Sequence, residues 1–403
     1  MSVEEAVDKC IQCGFCLQAC PTYRMFETEE SSPRGRIARV RDLRSGVVDP
    51  SLESLATFGE CLGCRACEAA CPSGVHYEEI LAWGRAQLAK VEPPLPLTVR
   101  TLLRVIERPG RLRLAAGGWR RAGTAAVRLA RRLRSRRPEP RLVAALPRPA
   151  KAPDLTPQPG AEVAVHRGCL MDVLWDRTNA RAVLRLRESG NTADLMPREV
   201  GCCGALHAHT GDMEVARRLA RRVIESFEHS GARHIVSLAG GCGAHLKGYP
   251  SLFEGEAGWL PRAQAVAEAV RDVATLLVQA GYEAQPAEHL YTYQDSCHLR
   301  NGLKVTREPR LLLEGPGYRE MPSAGQCCGS AGVYNMVRPD VAGPILAAKA
   351  AEVRGLGVVE VVTANPGCEL QWRLGVREGG LPVRVTHLVD HLWEQRHGKD
   401  EER

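Results

Sequence analysis

The sequence predicts a mixed α/β protein: a small helix-rich N-terminal domain, a basic middle segment, and a duplicated α/β unit. Three observations carry this reading. Eight of the sixteen cysteines fall in two tight clusters before residue 95, and the other eight lie widely spaced after residue 161. Residues 96–160 contain no cysteine and are rich in arginine, leucine and proline. Three landmarks in residues 161–403 occur twice, in the same order. A chain of 403 residues is long enough for two or three domains. With 44% hydrophobic and 25% charged residues, global disorder is excluded. No run of about 18 apolar residues is present, so no transmembrane helix is expected. The start, Met1-Ser2-Val3-Glu4-Glu5, lacks the basic and apolar regions of a secretory signal, and a cytoplasmic location is expected. In a reducing cytosol, many cysteines argue for metal or redox chemistry over disulfides.

The first element spans residues 1–95. It carries Cys10-x-x-Cys13-x-x-Cys16-x-x-x-Cys20-Pro21, and then Cys61-x-x-Cys64-x-x-Cys67-x-x-x-Cys71-Pro72. This is the spacing of a bacterial ferredoxin with two [4Fe–4S] clusters. Three closely spaced thiolates wrap one cubane, and the fourth, before proline, reaches the other cluster. Cluster one should use Cys10, Cys13, Cys16 and Cys71; cluster two should use Cys61, Cys64, Cys67 and Cys20. Structural zinc sites pair two C-x-x-C units and need neither a third cysteine in the run nor Cys-Pro after it. Gly35–Leu43 and Leu52–Gly59 look helical, so the ferredoxin domain is expected to be helix-rich.

The second element, residues 96–160, is predicted to be a basic helical and proline-rich linker. The chain has 54 basic and 47 acidic side chains, a formal net charge of +7. Residues 100–148 hold fifteen arginines, no lysine and two acids. Trp119–Arg137 has a helical pattern with Ala122, Ala126, Leu129 and Leu133 on one side. Such a basic amphipathic helix suits peripheral contact with an anionic membrane surface, or a solvated linker. Nucleic-acid binding is disfavoured: aromatics are 5% overall, and in this stretch there is none but Trp119.

The third and fourth elements are the two repeats, residues 161–288 and 289–403. Glu162–Cys169 resembles Leu290–Cys297, Gly201-Cys202-Cys203-Gly204 matches Gln326-Cys327-Cys328-Gly329, and Ile235–Cys242 matches Val361–Cys368. Each copy opens with a β run ending at a cysteine and later has a β run ending at a glycine-flanked cysteine. Helical segments such as Met213–His229 and Asp340–Arg354 lie between, which implies parallel α/β units. Ligands in such units collect beyond the carboxyl ends of strands. That places Cys169, Cys202, Cys203 and Cys242, and then Cys297, Cys327, Cys328 and Cys368, as candidate metal ligands for a further iron–sulfur cluster. Pro261–Tyr282 reads as one amphipathic helix, with Val266, Val270, Val273, Leu277 and Ala280 as its stripe. His166, His207, His209, His245 and His298 lie near these cysteines, and His298 is the first candidate for proton handling.

No G-x-G-x-x-G and no G-x-x-x-x-G-K-[ST] is present. Wires without a nucleotide fingerprint read as one subunit of an oxidoreductase, with the flavin on another chain. No catalytic residue is assigned to this chain.

At this point the motifs resemble a known family, the iron–sulfur subunits of bacterial glycolate oxidase. The resemblance rests on Ser32-Pro-Arg-Gly-Arg-Ile37, Gly201-Cys-Cys-Gly-Ala-Leu-His207, Cys297-His-Leu-Arg300, Cys328-Gly-Ser-Ala-Gly-Val-Tyr-Asn335, Asn365-Pro-Gly-Cys368 and Val385-Thr-His-Leu-Val-Asp390. It implies a flavoprotein partner with FAD that oxidises glycolate to glyoxylate. It also implies onward transfer of electrons to quinone or another respiratory acceptor. The same modules occur in subunits of D-lactate and anaerobic glycerol-3-phosphate dehydrogenases, and in the catalytic subunit of heterodisulfide reductase. The last-named ends each repeat with Cys-x-x-Cys. Here Cys242 is followed by Gly243-Ala244-His245 and Cys368 by Glu369-Leu370-Gln371, so that enzyme's five-thiolate cluster is not expected.

Overall fold

A computed structural model describes residues 3–132, 143 and 145–398, without the side chains of 120–124 and 126–132. The N-terminal domain is helical, as its sequence predicts. Ser32 caps the helix Pro33–Arg44 by accepting from the Gly35 amide at 2.9 Å, and Pro33 fits the first turn where no N–H is needed. Ser51 and Ser54 form a reciprocal cap on Leu52–Glu60. These two helices and Tyr77–Val91 bury Ile37, Val40, Leu55, Phe58, Ile80 and Leu88. Cys61 and Cys67 belong to that core, and Cys10, Cys16 and Cys71 pack against it.

The middle segment is not simply a linker. Leu97–Ile106 is a helix, and Val99, Leu103 and Ile106 fall on one face at helical spacing. With Leu112 they pack against Cys202, Leu219 and Val333 of the two repeats. The next helix, Pro109–Arg132, contains the basic stretch. Its indole Trp119 Nε1 donates to the Pro147 carbonyl at 3.3 Å. Leu133, Arg134, Arg136 and Arg137 lie outside the described residues, as do the side chains of Ala122, Ala126 and Leu129.

The repeats form two small all-parallel sheets. The first comprises β1 (Val163–His166), β2 (Ala193–Leu195), β3 (His234–Ser237) and β4 (Val270–Arg271) in the order β2-β1-β3-β4. The second comprises β5 (Tyr291–Gln294), β6 (Glu360–Thr363) and β7 (Arg384–His387) in the order β5-β6-β7. A single parallel bridge, Tyr291 to Tyr318, takes the place of β2 in the second copy. The topology is therefore duplicated along with the sequence. In each sheet the chain reverses direction of winding between its two central strands, β1 and β3 or β5 and β6. That reversal opens a crevice beyond their carboxyl ends.

One expected element is corrected. Residues 261–282 do not form a single helix. Leu260–Ala269 is helical, Val270 and Arg271 then pair with Ile235 and Val236, and a second helix runs Val273–Gln279. The exposed edge of β3 wins these two residues, and Asp272 caps the restart by accepting from the Ala274 amide at 2.8 Å. Val266, Val270, Val273 and Leu277 are buried as the stripe implies, whereas Ala280 is exposed.

The two copies share a core. Val165, Leu174, Val236 and Leu277 of the first pack in one cluster with Tyr293, Leu312, Val362 and Leu388 of the second. Asp390 locks this contact by accepting from Thr178 Oγ1 and Arg181 Nη1, each at 2.6 Å. His387 Nε2 donates to the Leu238 carbonyl at 2.8 Å.

Candidate iron–sulfur centres

The two N-terminal motifs fold alike. In the first, Gln12 and Gly14 have φ of 57° and 87°; in the second, Gly63 and Arg65 have 64° and 59°. Left-handed residues on both sides of the middle cysteine curl each loop around a centre and turn amides inward. Cys10, Cys13, Cys16, Cys67 and Cys71 line one hollow, together with Ile11, Phe15 and Tyr77. Cys20, Cys61, Cys64 and Cys67 are all buried, and the thiols of Cys64 and Cys67 face Cys61 and Cys20. The fold brings the two cysteine motifs together, with Cys67 also in the first hollow and Cys20 acting on Cys16. Burial pushes Cys16 up to about 11 and Cys64 and Cys67 well above the ordinary thiol range. A bound metal would hold such thiols as thiolates.

Two features favour a multi-iron cluster over one zinc ion. Thiolates around tetrahedral zinc at about 2.3 Å sit about 3.8 Å apart. Among the described residues, no three thiols converge within 4.8 Å of one another. The second feature is Arg36, fully buried beside Cys20 and Cys61. Its Nε donates to the Thr57 carbonyl at 2.7 Å and its Nη2 to Thr22 Oγ1 at 3.1 Å, while Nη1 has no partner. A buried guanidinium with a free donor beside Cys20 and Cys61 fits an anionic cluster.

The two motifs differ in exposure. Cys13 is exposed, and Ile11 and Phe15 beside it are 69% and 68% exposed. The second motif is covered by the second repeat. His298 Nε2 donates to the Gly63 carbonyl at 2.9 Å, Asn301 Nδ2 to the Cys64 carbonyl at 2.8 Å, and Tyr334 Oη to the Glu60 carbonyl at 2.7 Å. Leu62, Cys64, Cys327 and Tyr334 share one buried apolar patch, with Cys297 against it. His298 therefore holds the domains together. With Nε2–H given to a carbonyl, and burial lowering its pKa to about 4, it is a docking group and not an open proton carrier.

All eight C-terminal cysteines line one cavity of about 680 Å³ between the repeats. Cys169 and Cys242 lie beyond β1 and β3, and Cys297 and Cys368 beyond β5 and β6, as the strand pattern predicts. In each copy the thiols follow one another as neighbours. Cys169 meets Cys202, Cys202 meets Cys203, and Cys203 meets Cys242; the same order holds for Cys297, Cys327, Cys328 and Cys368. The glycine after each pair has a physical reason. Gly204 and Gly329 have φ of 95° and 89°, and a Cβ on either would sit 2.9 Å from the carbonyl oxygen of Ala216 or Ala342. Their amides meet Cys202 and Cys327 Sγ, each at 3.4 Å. Leu97, Thr101 and Leu102 of the middle segment roof the cavity, which makes its lining largely apolar.

The position three residues after the last cysteine is filled by His245 and Gln371. A Cβ on Gly204 would lie 3.4 Å from His245 Nε2, and one on Gly329 3.3 Å from Gln371 Nε2, so the two occupy equivalent places. Gln371 Oε1 accepts from Asn335 Nδ2 at 2.7 Å, whereas His245 Nε2 is buried without a partner. Burial lowers His245 to about 4. His166 Nε2 bonds the Gly201 carbonyl at 3.1 Å, and burial lowers it to about 4 as well. His207 is buried near Glu107 and Asp212, and His209 packs 5.5 Å from His298, ring centre to ring centre. Sequence reading passed over Arg36, Asn301 and Tyr334 as individuals. The first and last lie inside stretches that carried the family resemblance.

Comparison with known proteins agrees with this layout. Residues 6–75 match a family described as a 4Fe-4S dicluster domain, and residues 163–247 and 291–373 each match one described as a cysteine-rich domain. The chain is 37% identical over 414 aligned positions to the probable glycolate oxidase iron-sulfur subunit of Bacillus subtilis (strain 168), covering 96% of this chain and 93% of that one. It is 30% identical over 383 positions to the glycolate oxidase iron-sulfur subunit of Escherichia coli (strain K12), covering 92% and 90%. A partial relative is a fumarate reductase (CoM/CoB) subunit of Methanothermobacter marburgensis, 31% identical over 58% of this chain and 46% of that one. Two full-length relatives, a dicluster domain and a paired cysteine-rich domain settle the assignment: the chain belongs to the family of glycolate oxidase iron–sulfur subunits.

Proposed function

We propose that this chain carries electrons from a flavoprotein partner, which holds FAD and oxidises glycolate to glyoxylate, towards quinone or another respiratory acceptor. Two [4Fe–4S] clusters form the wire, one on Cys10, Cys13, Cys16 and Cys71, the other on Cys61, Cys64, Cys67 and Cys20. A further cluster is held by the cysteine-rich repeats. Bound clusters would supply one-electron carriage; the protein supplies their spacing and their surroundings. The observation that carries this reading is the shared patch of Cys64, Cys297 and Cys327. It gives a continuous line from exposed Cys13, through the buried second motif, to the thiol cavity. Transfer over such a line needs close, rigid packing, which His298, Asn301 and Tyr334 provide. The domain limits follow: ferredoxin domain 1–95, roofing and basic segment 96–160, repeats 161–288 and 289–403.

The basic stretch gives the complex its place on the cytoplasmic face of an anionic membrane. No helix among the described residues is long and apolar enough to cross one. The test of function is anaerobic isolation of the complex from its own host, followed by addition of glycolate. Bleaching of the iron–sulfur absorbance by glycolate, but not by D-lactate or glycerol 3-phosphate, is expected. Clusters that dithionite reduces and glycolate does not would move the assignment to another dehydrogenase. A second reading has chemistry at the repeats themselves, and the size of the thiol cavity favours keeping it. Under that reading, alkylating the repeat thiols would abolish turnover while the ferredoxin clusters still reduce.

A further inference from the structure

The end of the second sheet opposite the thiol cavity holds a second cluster of ligand-type side chains. Glu360 opens β6, Arg384 opens β7, His289 precedes β5 by two residues, and His391 lies on the helix Leu388–His397. Ligand atoms of His289, Glu360 and His391 all lie within 4.8 Å of one another. His289 Nε2 is 2.5 Å and His391 Nδ1 3.1 Å from Glu360 Oε2, and Arg384 Nη2 donates to the same oxygen at 2.9 Å.

We propose that His289, Glu360 and His391 form a binding site for one divalent transition-metal cation of the zinc type. Glu360 is completely buried, yet its Oε1 has no partner while three groups crowd Oε2. A buried carboxylate oxygen left bare is an acceptor with its ligand missing. The neighbouring Gln395 repeats the signal. Its Nε2 lies 2.8 Å from His391 Nε2, and its Oε1 is buried without a partner. Rotating that amide by half a turn lets Oε1 accept the Nε2–H of His391, which frees the Nδ1 lone pair to face Glu360. Two lone pairs facing each other leave room for a proton or a metal cation between them. A histidine that ligates through one nitrogen and donates through the other is the usual outer-shell arrangement.

The charge is also suited. Arg384 has a second partner, Glu394 Oε2 at 2.7 Å, so it can yield Glu360 Oε2 and remain paired. Two imidazoles and a carboxylate suit zinc, cobalt or nickel, and exclude the oxygen-only preference of magnesium and calcium. His289 is the one partly exposed member, so it gives access to solvent and to a fourth ligand position. Metal here would tie β6 to the last helix and to the lead into β5. It would brace the second repeat from behind its cysteine-bearing end, and carry no electrons.

The test is metal retention by the cluster-loaded full-length protein. Zinc chloride is added, the protein is desalted, and zinc and iron per chain are measured together. The parent should retain about one zinc per chain, and His289→Ala and Glu360→Gln should retain at least tenfold less at unchanged iron. Cobalt in place of zinc should give visible d–d bands without thiolate charge transfer. The proposal is overturned if the parent retains no zinc, or if His289→Ala retains as much as the parent. Thiolate charge transfer in the cobalt spectrum would overturn it too. His289→Ala removes only a partly exposed ring, so it keeps the test open should Glu360→Gln fail to fold. None of these outcomes depends on glycolate oxidation.

Discussion

Replacing Arg36 with methionine should lower the reduction potential of the second-motif cluster by about 100 mV. The side chain is fully buried, and one of its donors is aimed at no protein acceptor. Burial works against its charge, and Tyr77, Cys61 and Cys20 around it hold the charge on. Two unit charges about 7 Å apart in an effective dielectric of about 20 interact by about 2.4 kcal/mol, which sets the scale for an electron added beside this guanidinium. At about 59 mV for each tenfold change in a one-electron couple, that is about 100 mV. Arg36→Lys keeps the charge and loses the fork, so it should shift the potential by less than half as much. The assay is an anaerobic redox titration followed by electron paramagnetic resonance, with iron content confirming that both clusters are loaded. The first-motif cluster serves as an internal reference, because Arg36 faces Cys20 and Cys61. An Arg36→Met protein with full iron and a second-motif potential within about 20 mV of the parent would refute the reasoning. An equal shift of both clusters would refute the crossed assignment of Cys20.

Four further outcomes are expected. Cys20→Ser should strip iron from the second-motif cluster and leave the first-motif spectrum intact; loss confined to the first motif would contradict crossed ligation. Asn301→Ala leaves the buried Cys64 carbonyl without its donor, at a cost of about 1–3 kcal/mol, and proteolysis between the ferredoxin domain and the repeats should accelerate. Asp390→Ala removes the carboxylate that accepts from Thr178 and from Arg181, 1% exposed, and should cost about 1–3 kcal/mol in denaturant unfolding. The double change Arg181→Met with Asp390→Leu should recover most of that, and no recovery would mean that packing and not charge sets the cost. Replacing Arg131, Arg132, Arg134, Arg136 and Arg137 with glutamine should weaken binding to anionic vesicles at least tenfold, while unchanged partitioning would sink the membrane role.

Much of this was legible because ligation is written in spacing. The ferredoxin quartets depend on short gaps and on Cys-Pro, which are local in sequence, and both motifs fold into matching left-handed loops. The duplicated α/β pattern was equally local, since each strand ends at a cysteine. What escaped was decided by distant partners. The residues 261–282 carried a sound helical stripe, yet β3 had an open edge, and strand pairing took Val270 and Arg271. The segment 96–112 looked like the start of a linker, because the surface that buries Val99, Leu103 and Ile106 lies in the repeats. Arg36 could not be told from 46 other arginines by composition; only its burial beside Cys61 gives it a role.

The two repeats, alike in topology, have become unequal in surroundings. The first packs Cys169 and Cys202 under the helix Leu97–Ile106. The second places Cys297 and Cys327 against Cys64 of the wire. A second difference lies on the helix behind each Cys-Cys pair. Ala216 and Ala342 meet the paired glycines Gly204 and Gly329, and seven residues further on stand Val223 and Lys349. Val223 is fully buried in apolar contact. Lys349 is buried too, with Nζ donating to the Ser323 carbonyl at 2.6 Å, and burial lowers its pKa although Cys328 and Cys327 act to raise it. A buried ammonium beside one thiol set and a valine beside the other makes negative charge cheaper to hold in the second repeat. Under the proposed path through Cys64, the second repeat is both the nearer one and the better able to keep an electron. Under the same proposal the first repeat, roofed and lacking that charge, forms the outer wall of the cavity.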